Sequence, residues 1–222
     1  MAIIVDPYNY SKEIYGNITI DFLKEFSKVN NLEMPKVSIS KAKNNINGCY
    51  AFSNKEITVY YKNCRTPVKT PGYAWSYTGY KSDLTISGIL AHEYGHYIDH
   101  IRGEGNNTFS DINYKKIINL ILTENEIIDS HKYMQPYHHL HETIAESAKL
   151  FILNPDLLRI GRPKRYELFV NDYGLKPIVT ESWTEVLKNA HPKIINSSET
   201  WIKRGTKKRP NKYDIMKGFL KV

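Results

Sequence analysis

The chain has 222 residues, 41% hydrophobic and 24% charged, close to the globular average, which excludes wholesale disorder and predicts one domain with its own core. Its net charge of +8 permits contact with nucleic acid or an acidic surface without requiring it. Cys49 and Cys64 are its only cysteines, too few to staple a secreted fold of this size and without the clustered partners of a zinc ribbon.

The first residues, MAIIVDPYNYSKEIYG, show no charged leader ahead of an apolar run, and no stretch reaches the roughly 18 apolar residues that span a bilayer. A chain without membrane insertion is expected, cytoplasmic, or virion-associated if a phage encodes it. Ile18, Phe22, Phe26 and Val29 recur at helical spacing, which predicts an amphipathic helix over 18–32. PKVSIS reads as a short strand. GCYAFSNKEITVYYKN reads as a hairpin, with Tyr50 and Phe52 on one arm, Ile57, Val59 and Tyr61 on the other, and Ser53-Asn54-Lys55 at the turn. Between Cys64 and Lys81, prolines and glycines alternate with Tyr73, Trp75, Tyr77 and Tyr80, the composition of a long aromatic loop of the kind that covers binding sites.

A central helix is predicted from the capping pair Ser82-Asp83 to about Arg102, where Gly103 and Gly105 end it. Residues 112–128 are helical in pattern, and DSHKYMQPYHH is a polar connector. A further helix is expected over about 140–153, stopped by Asn154-Pro155. Helical segments follow near 164–173, 181–189 and 192–203. Lys203, Arg204, Lys207, Lys208, Arg209 and Lys212 make the end basic, read here as a solvated tail. Strands before the central helix and helices after it argue for an α+β fold in one domain. Residues 1–47 form its N-terminal helix and strand, 48–203 its core and 204–222 its tail.

The chemistry centres on His92-Glu93-Tyr94-Gly95-His96. On a helical wheel Ile86, Leu90, Tyr94, Tyr97 and Ile101 form the core stripe, and His92, His96, Asp99 and His100 lie opposite, with Glu93 beside them. His92 and His96 are four residues apart, roughly 6 Å along the axis, so both can reach one metal ion. Glu93 points to the side of that ion, where it can take a proton from a water the ion activates. This is the HExxH pattern of zinc peptidases. His100 lies about 12 Å along the axis from His92, too far to join. A metzincin needs glycine and histidine where Asp99 and Arg102 stand, so the third ligand comes from elsewhere. HETIAESAKLF offers Glu142 and Glu146 opposite an apolar face of Ile144, Ala145, Ala148, Phe151 and Ile152. One carboxylate can bind metal while the other accepts a hydrogen bond from a ligand imidazole. Beside Lys149, the same pair also reads as an ordinary solvated face.

HEYGHYIDH followed by ETIAES resembles the HExGHxxD and ExxAE helices of the family that includes the anthrax lethal factor catalytic domain and the Pro-Pro endopeptidases. The resemblance implies a zincin-like metallopeptidase with one zinc ion per chain. Carried over by position, His92, His96 and Glu142 are its zinc ligands and Glu93 its general base. Glu146 supports a ligand from behind, and Asp99 matches the acid after the motif. The resemblance also implies an edge strand, placed here at Glu56 to Tyr61, whose Ile57, Thr58, Val59 and Tyr60 pair with an extended peptide substrate. A tyrosine before the glutamate helix stabilises the oxyanion in that family. Tyr137 stands nearest that position and Tyr133 next, while His138 or His139 offers similar donor chemistry. LKNAHPKIINSSETWIK resembles the domain's closing helix. Three functions compete on the sequence. A zinc endopeptidase is expected first, then a zincin-fold structural or binding protein such as a virion component, then a basic nucleic-acid-binding protein with incidental histidines.

Overall fold

Period-two alternation of apolar residues builds one sheet. Its strands are β1 (Ile4–Val5), β2 (Lys36–Ser40), β3 (Gly48–Ala51) and β4 (Glu56–Tyr60), in the spatial order β1-β2-β4-β3. The computed structural model of the chain describes residues 4–5, 20–41, 45–64, 86–124, 136–179, 199–200 and 202–203. The aromatic loop, the predicted helix at 181–189, most of that at 192–203 and the basic tail lie outside these residues. β1, β2 and β4 run parallel, and β3 returns antiparallel along β4 with Tyr50 opposite Ile57. Val37 and Ile39 of β2 and Ile57 and Val59 of β4 are buried on the inner face. On the outer face Lys36 Nζ and Ser38 Oγ donate to the Glu56 carboxylate at 2.9 and 2.6 Å. The hairpin follows the expectation, with Lys55 at φ 51° in its turn, but Tyr61 leaves the strand for a 3-10 turn over Tyr61–Asn63.

One expectation is corrected by the strand order. β4 is an interior strand, paired along its length with β2 on one side and with β3 on the other. Ile57, Thr58, Val59 and Tyr60 therefore offer no open backbone edge to a substrate. The more apolar arm of the hairpin took the interior position, where its backbone is paired along both edges. Among the described residues the edges are β1 and β3, and β3 is the one beside β4.

The helices pack beneath this sheet. α1 (Ile20–Val29) inserts Phe26 against Tyr94 of α2 (Ile86–Ile101) and Phe151 of α5 (Pro136–Leu153), with ring centroids 6.1 and 6.5 Å apart. α2 is covered on one side by β3 and β4 and on the other by α5, its most extensive partner. Beyond the predicted stripe, Ile89, Ala91 and Ile98 are also buried, as expected for a helix with neighbours on opposite sides. Ile112 closes a separate short helix, α3 (Phe109–Ile112), and the stretch expected to be helical over 112–128 is helical as α4 (Tyr114–Thr123), with 125–128 outside the described residues. Thr108 and Asp111 form a reciprocal capping box that starts α3 upstream of the apolar pattern. α5 begins four residues before the expected Leu140, with Pro136 at its first position, where a missing N–H costs nothing. It ends at Leu153, and Asn154 then caps α6 (Pro155–Gly161) by accepting from the Leu157 N–H at 3.0 Å. α7 (Pro163–Glu167) runs into a π-helical turn over Leu168–Asp172. The architecture is α+β, and no described helix is long and apolar enough to cross a membrane.

Candidate metal centre

Gly95 sets the spacing of the two helices that carry the site. A Cβ on Gly95 would stand 2.9 Å from the Ala145 Cα, the Ala145 carbonyl oxygen and the Ala148 Cβ. α2 and α5 therefore meet nearly backbone to backbone at this point, a closer approach than a larger side chain at Gly95 would allow. Glu142, less than one turn before Ala145, is thereby brought across to His92 and His96, which flank Gly95 in the sequence.

The two imidazoles converge on one carboxylate. His92 Nε2 lies 3.2 Å from Glu142 Oε2, and His96 Nε2 lies 3.5 Å from Glu142 Oε1. One donor atom from each of the three residues falls within 4.8 Å of the others. Donors held tetrahedrally at about 2.1 Å from a zinc ion stand roughly 3.4 Å apart, so the donor set and its spacing fit such an ion. The side chains of His92 and His96 are each 14% exposed and that of Glu142 26%, which leaves the centre a path to solvent.

Glu146 accepts from His92 Nδ1 at 2.7 Å. An ionised carboxylate only accepts, so this contact keeps a proton on Nδ1 and makes Nε2 the nitrogen that can exchange its own proton for an ion. The other Glu146 oxygen accepts from Lys149 Nζ. Glu146 and Lys149 are both buried and Glu142 is half-buried, which corrects the solvated-face reading of the two acids at Glu146. The wheel showed one acidic face but not that α2 covers it.

The charges around the cluster suit a cation. Burial pulls the His92 imidazolium down, but hydrogen bonds and charge from Glu142 and Glu146 outweigh it and push its pKa up to about 10. Burial raises Glu142, yet its bonds to His92 and His96 hold it well below the usual carboxylate range. For Glu146 burial is likewise outweighed, first by the Lys149 charge and then by His92, to about 2. An anionic field that favours a proton on His92 also favours a divalent ion.

Glu93 is buried beside this cluster. Burial raises its carboxyl above the ordinary range; His92 and His96 pull it back, and Glu142 and Glu146 push it up again. It packs under the edge strand. A Cβ on Gly48 would stand 3.1 Å from Glu93 Oε1 and 2.5 Å from Ile89 Cγ2, so glycine is what lets β3 lie against Glu93. Sequence reasoning passed over Gly48, Gly95 and the role of Lys149. Gly95 had a signal, since a glycine in mid-helix is unfavourable unless something must approach closely.

The other predicted residues separate. Asp99 does not support a metal ligand. It is buried and accepts from Ser110 N at 2.9 Å, Ser110 Oγ at 2.5 Å and Tyr173 Oη at 2.7 Å. It ties α2 to the start of α3 and to the turn after the π segment, because it stands about two turns further along α2 than His92, roughly 10 Å along the axis, where Ser110 and Tyr173 are its neighbours. Asp99→Asn is expected to cost about 2 kcal/mol of stability by removing charge from these bonds and to leave the His92, His96 and Glu142 cluster unchanged; denaturant unfolding and a divalent-metal titration against the wild type check both halves. His100 Nδ1 is 2.7 Å from Tyr50 Oη, and His141 Nε2 is 2.8 Å from Asp111 Oδ1, so neither joins the cluster. Tyr137 falls in the first turn of α5 rather than in a connector. Its side chain, like those of His138 and His139, and all of Tyr133, lie outside the described residues.

No family model, curated protein or solved structure matches the chain.

Proposed function

We propose that the chain is a zinc-dependent endopeptidase with a zincin-like catalytic domain of the lethal-factor type. One observation carries this reading: Glu142 arrives from a second helix to complete a donor set with His92 and His96, with Glu93 beside it under an edge strand. Zinc held there supplies Lewis acidity, lowering the pKa of water toward about 7 and polarising a scissile carbonyl. Glu93 takes the proton as water adds to that carbonyl and returns it to the departing amine. Glu146 keeps His92 in the tautomer that presents Nε2.

The substrate-pairing role expected of β4 passes to β3. An extended peptide adds as the next strand along Gly48 to Ala51, and Gly48 brings that strand beside Glu93. Tyr137 is assigned the oxyanion on its sequence position, five residues before Glu142.

The test is a peptide-library digest by the chain loaded with one equivalent of zinc. Cleavage is expected, with its loss on adding a chelator and its return on restoring zinc. Stoichiometric zinc without cleavage would point instead to a binding or structural protein, and a chain that takes up no zinc would rule out both.

A further inference from the structure

Lys149 is fully buried, at 0% exposure, one turn after Glu146 on α5. Its ammonium donates to Glu146 Oε2, while Glu146 Oε1 accepts from His92 Nδ1 at 2.7 Å. Glu146 is thus divided between a cation on its own helix and an imidazole on α2. Stability is a poor explanation for this lysine. An apolar side chain of similar length often serves a buried position as well as an ion pair does, because burying two charges costs about what their attraction returns. Ala148 and Leu150 on either side are themselves buried and apolar.

We propose that Lys149 is a positioning residue of the metal centre, pinning one oxygen of Glu146 so that the other is presented to His92 and fixes the direction of Nε2. The inference rests on reading His92, His96 and Glu142 as that centre. Charge counting supports it. Glu93, Glu142 and Glu146 bring three carboxylates to one place, with Glu93 and Glu146 buried. A divalent ion balances two of them and Lys149 the third. Without the lysine, Glu146 keeps one oxygen unpartnered away from water, and the carboxylate is free to turn from His92. Supporting residues of this kind typically contribute about 10–100-fold in metal affinity.

The experiment is a double-mutant cycle on zinc affinity, read by competition with a chromophoric chelator in the full chain. The absorption spectrum of the cobalt-substituted protein is recorded for each variant. Lys149→Met is expected to weaken zinc binding about tenfold or more and to shift the cobalt bands. In a Glu146→Gln background the same substitution is expected to add no further loss, since its effect passes through Glu146. Wild-type zinc affinity in Lys149→Met, or equal losses in both backgrounds, overturns the proposal. If Lys149→Met does not fold, Lys149→Gln replaces it with the same expected and overturning results. A wild-type chain that binds no zinc overturns the centre itself and this inference with it, whereas zinc bound equally by wild type and variant overturns only the role of Lys149.

Discussion

Glu93→Gln is expected to retain one zinc per chain and to cleave peptides about 10³-fold more slowly than the wild type. On the proposed reading the metal stays, because His92, His96 and Glu142 are the residues that could hold it and glutamine removes none of them. The packing stays because glutamine matches glutamate in shape where Ile89 and β3 close over it. Only the proton acceptor is lost. Unfolding does not explain the loss of rate, as the sign of the linkage shows. Burial raises the Glu93 carboxyl in the folded chain, so the folded state binds this proton more tightly than the unfolded state does. Its contribution to stability is present below the unfolded pKa and is lost as pH climbs through the raised one. Glutamine has no such loss, so in the metal-free chain the variant melts at or above the wild-type temperature near neutral pH. Metal analysis, a melting curve and turnover of one identified peptide separate these terms. Wild-type turnover in Glu93→Gln would falsify the general-base assignment.

Gly95→Ala is expected to destabilise the chain by about 1–2 kcal/mol and to weaken zinc binding by more than the loss of a supporting residue does, beyond about 100-fold. Two effects oppose each other. In an isolated helix alanine is better than glycine by roughly 1 kcal/mol. Here the added methyl meets the Cα and carbonyl oxygen of Ala145 at 2.9 Å, and backbone cannot rotate aside as a side-chain tip can. Overpacking costs about 1–3 kcal/mol, so separation of α2 from α5 wins over propensity. Glu142 travels with α5, and a shift of even about 1 Å takes its oxygen off a bond of about 2.1 Å. Denaturant unfolding in the presence of a chelator measures the first effect, and zinc competition measures the second. A variant more stable than the wild type with zinc affinity intact would show that the crossing tolerates a methyl.

These residues show where reading the chain alone runs out. The hairpin was legible down to its turn, yet which arm lies at the edge depends on where β2 docks, and β2 is some twenty residues away from β4. Asp99 shares a wheel face with His92 and His96, but the neighbours of that face change along the length of α2. The turns at His92 and His96 meet Glu142 and Glu146 of α5, and the turn at Asp99 meets Ser110 and Tyr173. Lys149 looked like a surface residue because periodicity reports which side chains share a face, not whether another helix covers it.

The sequence by itself determined that His92, Glu93 and His96 share one helix, that Glu142 and Glu146 share another, and that strands precede helices. Spacings of one and four residues become geometry through hydrogen bonds local to the chain. Only the tertiary structure decided that Glu142 closes the donor set, that Glu146 stands between His92 and a buried lysine, and that β3 is the edge strand beside Glu93. Each of those depends on the distance between elements remote in the sequence, and at the centre of the site that distance is set by the side chain that Gly95 does not have.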